Sequence, residues 1–141
     1  MNPVKETIKP IMKDNGFRCK RTSWYRRVND VIQILNIQKS VWSNLYYINI
    51  GFDPYDETCC FPKDYSFPPE YKFRIRFRAE EIVENKDVLC SLDFEQPFSD
   101  RDVYIMDLIK DCLSFMDSLS TKEKVLSYHK KRYPNIIVRM S

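Results

Sequence analysis

Glycine is scarce in this chain. Its 141 residues include two, Gly16 and Gly51. Dinucleotide fingerprints and P-loops need several glycines where backbone closes on phosphate, so both are excluded. Histidine is scarcer still, with His129 alone. No Gly-x-Ser-x-Gly elbow accompanies it, and a pairing such as Cys59 with His129 would have to join distant segments. Five cysteines at irregular spacing make no disulfide framework and point to a reducing cytoplasm. Adjacent Cys59-Cys60 lack the two-residue gap of a zinc knuckle. Cys90 and Cys112 fall in apolar segments and read as core. No run approaches a membrane span, and Met1-Asn2-Pro3-Val4-Lys5-Glu6 lacks the apolar stretch of a signal peptide. No catalytic residue, metal ligand or cofactor is assigned on these grounds. The balance of 23 basic and 20 acidic residues, net +3, is too mild to argue for nucleic acid by itself.

What is present in quantity is aromatic: nine Phe, nine Tyr and two Trp. The sharpest pattern is Lys72-Phe73-Arg74-Ile75-Arg76-Phe77-Arg78, in which cationic and apolar side chains alternate strictly. Side chains on a strand alternate between faces. Phe73, Ile75 and Phe77 therefore build a core, while Lys72, Arg74, Arg76 and Arg78 meet water, carboxylates or phosphates.

Read in order, Asn2-Pro3 caps and starts a helix whose apolar positions are Val4, Ile8, Ile11 and Met12. Gly16 suits the position past its end, and Pro10 predicts a kink or a break. A strand follows over 17–28, with Asn29-Asp30 as its turn, and a second over 31–41. Trp42-Ser43-Asn44 reverses the chain into a third strand over 45–52, with Tyr46, Ile48, Ile50 and Phe52 on one face. Residues 53–69 form a long connection, the basic ladder is a fourth strand, and 88–94 reads as a fifth. Ser99 caps a helix marked by Ile105, Leu108, Ile109, Cys112, Met116 and Leu119. Ser120 and Glu123 have capping-box spacing for a final helix ending near Tyr133-Pro134, and 136–138 adds a short terminal strand. The expected fold is α+β. A single domain over 1–141 carries an antiparallel sheet of about five strands, with N-terminal and C-terminal helices on one face and the other face partly open.

Three pieces taken together carry a resemblance. They are the helix ending at Gly16-Phe17, the strand Trp24-Tyr25-Arg26, and Ile37-Gln38-Lys39-Ser40 followed by Tyr47-Ile48-Asn49-Ile50-Gly51. In this order they resemble the bacterial family called domain of unknown function 4304, over roughly residues 5–120 and most strongly 16–52. The resemblance implies the order helix, strands, helices. It supplies no catalytic residues, because the family has no assigned activity. It implies small cytoplasmic accessory proteins, some of them linked to toxin–immunity or phage-conflict systems.

The candidate binding residues follow from strand parity. Asn36, Gln38 and Ser40 share one face, as do Asn49 and Tyr47, and an aligned register would join them to Lys72, Arg74, Arg76 and Arg78. Amides and forked guanidinium groups suit carboxylates or phosphates. Ladder cations would stand about 7 Å apart along the strand. The competing reading is a solvated face whose arginines pair with neighbouring acids. A second candidate surface is the long connection, where Tyr55, Phe61, Tyr65 and Phe67 interleave with acids as interface aromatics do. The expected function is non-catalytic binding of an acidic protein partner, immunity- or inhibitor-like through the resemblance. The alternative is a metal-dependent nuclease, with Asp53 after one strand and Glu70-Tyr71-Lys72 opening the next.

Overall fold

The computed structural model describes residues 2–57, 75–138 and 140. Helix α1 spans Pro3–Asp14, with Asn2 Oδ1 accepting from Lys5 N–H at 3.0 Å and proline at its first position. Pro10 lies inside α1 without breaking it, contrary to the expected interruption. Val4, Ile8 and Met12 are its buried stripe. Gly16 follows at φ +81°. A Cβ there would meet nothing within 4 Å, so the demand for glycine is conformational rather than spatial.

The first predicted strand is a hairpin of two: β1 Arg18–Lys20 and β2 Ser23–Val28. Arg21 turns it at φ +59°. Next come β3 Val31–Lys39, β4 Tyr46–Pro54 and β5 Ile75–Arg78. All neighbours pair antiparallel in the order β1-β2-β3-β4-β5, the meander that short connections favour. The basic ladder is therefore described from Ile75 onward, and Lys72 and Arg74 lie outside the described residues.

Short helices α2 Ala79–Ile82 and α3 Lys86–Cys90 lead to α4 Arg101–Ser118 and α5 Lys122–Arg132. The expected strand over 88–94 is thus corrected: its first half is helix α3, started by Asn85, which accepts from Asp87 N–H. Cys90 is exposed, not core, whereas Cys112 is buried as expected. Asp100 rather than Ser99 occupies the cap position of α4, and Thr121 rather than Ser120 caps α5. Residues 136–138 form no strand.

One face of the sheet packs on the helices. Trp24, Leu35, Ile37, Ile48, Ile50, Phe52, Ile75 and Phe77 join α1, α4 and α5 in one core. Phe77 sits among the rings of Phe52, Phe115, Tyr128 and Tyr133. Two polar residues clamp this side. The Gln33 amide donates to Met116 C=O at 2.7 Å, satisfying an end carbonyl of α4. Arg26 donates to Gln33 Oε1, Asn15 C=O and Asp117 Oδ1, tying the ends of α1 and α4 to β2.

Candidate functional site

The register assigns every described strand residue to a face. Opposite the helices lie Arg18 and Lys20 of β1, Ser23, Tyr25 and Arg27 of β2, and Ile32, Ile34, Asn36 and Gln38 of β3. Tyr47, Asn49, Gly51 and Asp53 of β4 share that face, with Arg76 and Arg78 of β5. One rung runs straight across four strands: Ser23, Asn36, Asn49, Arg78. Of the expected group Asn36, Gln38, Asn49, Arg74 and Arg76, all but Arg74, which lies outside the described residues, share this face, and Arg78 joins them.

The rung is wired by hydrogen bonds. Asn49 Nδ2 donates to Asn36 Oδ1 and to Gln38 Oε1, both at 3.1 Å, and Asn36 Nδ2 donates to Ser23 Oγ at 2.8 Å. Asn49 Oδ1 is buried and accepts nothing. The centre of this face is closed to solvent, which corrects the expectation of an open surface at these positions. Ile32, Ile34 and Asn49 are wholly buried and Asn36 is 2 % exposed. Burial explains why amides here bond one another, since an unmatched polar group away from water is costly.

Accessibility returns at the edges. Arg18, Lys20 and Arg27 are exposed on one side, and Arg76 and Arg78 are half-buried on the other. The Arg78 guanidinium stacks on the Tyr47 ring at 4.3 Å, and Arg27 on the Tyr55 ring at 3.8 Å. Stacking fixes the plane of the guanidinium while leaving its rim of N–H donors for an anion. Arg27 spends one donor on Asn29 C=O at 2.9 Å. Beside the β1–β2 edge, a cleft of about 460 Å³ is lined by Asn15, Gly16, Arg18, Tyr25, Arg26, Arg27 and Val28.

Ser40 is half-buried beyond the end of β3, where its Oγ accepts from Trp42 N–H, so it shapes the turn rather than the face. Tyr55 belongs to the face through Arg27. Phe61, Tyr65, Phe67, Lys72 and Arg74 lie outside the described residues, as do Cys59, Cys60 and Glu70. Among the described residues no group of three His, Cys, Asp or Glu side chains is placed to hold a metal ion. His129 is buried against the rings of Phe77 and Tyr133, and burial lowers its pKa. Burial, reinforced by the Asp111 charge, pushes the Cys112 thiol up to about 12, which leaves it inert.

Parity reasoning centred on the ladder missed the β1–β2 cations. Their signal was available: from Phe17 to Val28 the chain holds Arg18, Lys20, Arg21, Arg26 and Arg27 and not one acid. Among the described residues no helix is long and apolar enough to cross a membrane. A sequence profile for the family described as Domain of unknown function (DUF4304) matches residues 8–117. The chain belongs to that family. Searches of curated proteins and of solved structures found no match.

Proposed function

We propose that this family member is a cytoplasmic, non-catalytic binding module for an acidic macromolecule, in the first instance a protein, held by the cationic edges of the outer sheet face. The observation that carries the reading is the charge distribution over that face. Arg18, Lys20, Arg27, Arg76 and Arg78 face outward from the strands, against Asp53 alone among the described outward strand residues. Two of these arginines rest over tyrosine rings, which lowers the entropy lost when they grip a carboxylate. A protein partner is favoured over nucleic acid because the chain as a whole carries only +3. An immunity- or inhibitor-like role is the form of binding implied by the family resemblance alone.

The test is affinity capture from the native cell, with and without nuclease, using wild type beside an Arg18→Glu, Arg27→Glu, Arg78→Glu variant. A nuclease-resistant protein partner, lost with the folded variant, is the expected result. Capture indifferent to the three reversals would sink the reading. Recovery of nucleic acid alone, released steeply by salt, would transfer the assignment to a nucleic-acid-acting protein. Magnesium-dependent cleavage would then single out the nuclease alternative.

A further inference from the structure

Among the described residues the three most exposed large apolar side chains, Trp42, Val41 and Ile137, fall in two places far apart in sequence. At the β3–β4 turn, Val41 is 87 % and Trp42 92 % exposed. After α5, Ile136 is 54 % and Ile137 86 % exposed. The first is a projection and the second a hollow. Leu126, His129, Lys130, Pro134, Ile136, Ile137 and Val138 line a cavity of about 260 Å³, the order of size of one indole side chain.

The projection is held firmly. Ser40 N–H donates to Leu45 C=O at 2.8 Å, and Trp42 N–H to Ser40 Oγ at 3.1 Å. Asn44 N–H donates to Glu95 Oε1 at 2.8 Å, while Phe94 N–H and Tyr46 N–H tie the turn to the segment after α3. A tryptophan presented on a braced turn has already lost much of the freedom that binding would remove.

Charge also matches. Exposed Glu95 and half-buried Asp93 flank the base of the projection, with Lys39 and half-buried Arg101, which donates to Asp93 C=O, as offsets. Exposed Lys130, Lys131 and Arg132 crowd the end of α5 beside the hollow. The acids at its base disfavour phosphate-rich surfaces, and Val41 offers nothing to stack on a base. A protein pocket with a basic rim fits both features, and this chain carries one.

We infer that the Val41–Trp42 turn of one copy inserts into the Leu126–Ile137 hollow of a second copy, so that the protein self-associates head to tail. This interaction is separate from the binding proposed for the outer sheet face. In this head-to-tail arrangement the contact is heterologous, and each added copy exposes a fresh projection and a fresh hollow. Such association closes into a ring or continues as a chain instead of stopping at a dimer. One inserted indole is small beside a standard interface, so the assembly forms at high concentration and dissociates on dilution.

Sedimentation of the purified full chain tests this. The weight-average mass should climb with concentration from that of one 17.0 kDa chain to beyond that of two. Trp42→Ala removes the projection and Ile137→Glu spoils the hollow, so each variant alone should stay monomeric while keeping its circular dichroism. Mixed together, Ile137→Glu supplies an intact projection and Trp42→Ala an intact hollow, so a heterodimer should form and go no further. A monomeric wild type up to its solubility limit, association that survives either substitution, or no association on mixing would each overturn the inference.

Discussion

The two faces of this sheet are both buried at their centres, yet they are built on opposite plans. Towards the helices the strands present Trp24, Leu35, Ile48, Ile50, Phe52 and Phe77, with the polar side chains of Gln33 and Arg26 as clamps. On the far side Ile32 and Ile34 lie beside a hydrogen-bonded row of amides. Seven consecutive residues of β3, 31–37, are buried, so this strand is central in both senses. The first plan gains stability from area and ring packing. The second gains specificity, because amide bonding is directional and tolerates few partners.

The largest difference should appear when each face is cut at its centre. Phe77→Ala removes a ring that touches four other aromatic side chains and His129, and should cost about 3–5 kcal/mol in denaturant unfolding. On the far face, Asn36→Leu takes from the buried Asn49 amide one of its two acceptors and from Ser23 Oγ its donor, and should cost about 1–3 kcal/mol. Adding Asn49→Leu should recover part of that loss, because the buried Asn49 amide goes with it while Ser23 and Gln38, which lose their partners, are only half-buried and can turn to water. Additive single and double costs would show that the amide row is not a coupled unit.

A smaller effect separates the faces by pH. Burial depresses His129 in the folded chain, whereas the unfolded chain takes up a proton near the ordinary value of 6.5. The neutral imidazole therefore contributes stability above that pH, and the contribution is lost as pH falls through the lower folded value. Wild type should lose more stability on acidification than His129→Gln. Parallel curves would dismiss the effect. Least of all should Arg18→Glu with Arg27→Glu change folding, by about 0.5 kcal/mol or less each, since both sites are exposed. A clear drop in melting temperature would reveal a structural role for that edge.

Much of this was legible in residue order. A β-branched run over 31–41 located β3, period-two alternation located β4 and the end of the basic ladder, and 3.6-residue spacing located α1 and α4. The misreadings share a cause in local ambiguity. Arg21 turns the chain at positive φ without glycine, so the β1–β2 hairpin looked like one strand. The apolar residues after Asp87 are too few to separate strand from helix, and the Asn85 cap decided for α3. Placing Asn36, Gln38 and Asn49 on one face needed only parity and register. Their burial was not legible, because solvent exclusion depends on tertiary packing that alternation does not encode. The edge cations Arg18 and Arg27 were legible as composition and overlooked because they do not alternate strictly.

The amide row also has a sense of direction. Each bond donates from β4 towards β2, Asn49 to Asn36 and Asn36 to Ser23. Aligned dipoles of this kind polarise one another. The row therefore acts as a small polar rod whose electron-rich end, the unmatched Asn49 carbonyl, lies in register with Arg78. Its opposite end leaves the Ser23 hydroxyl proton to be given outward, across from Lys20. The rod therefore makes the two cationic margins electrically unequal, its negative end beside Arg78 and its positive end beside Lys20.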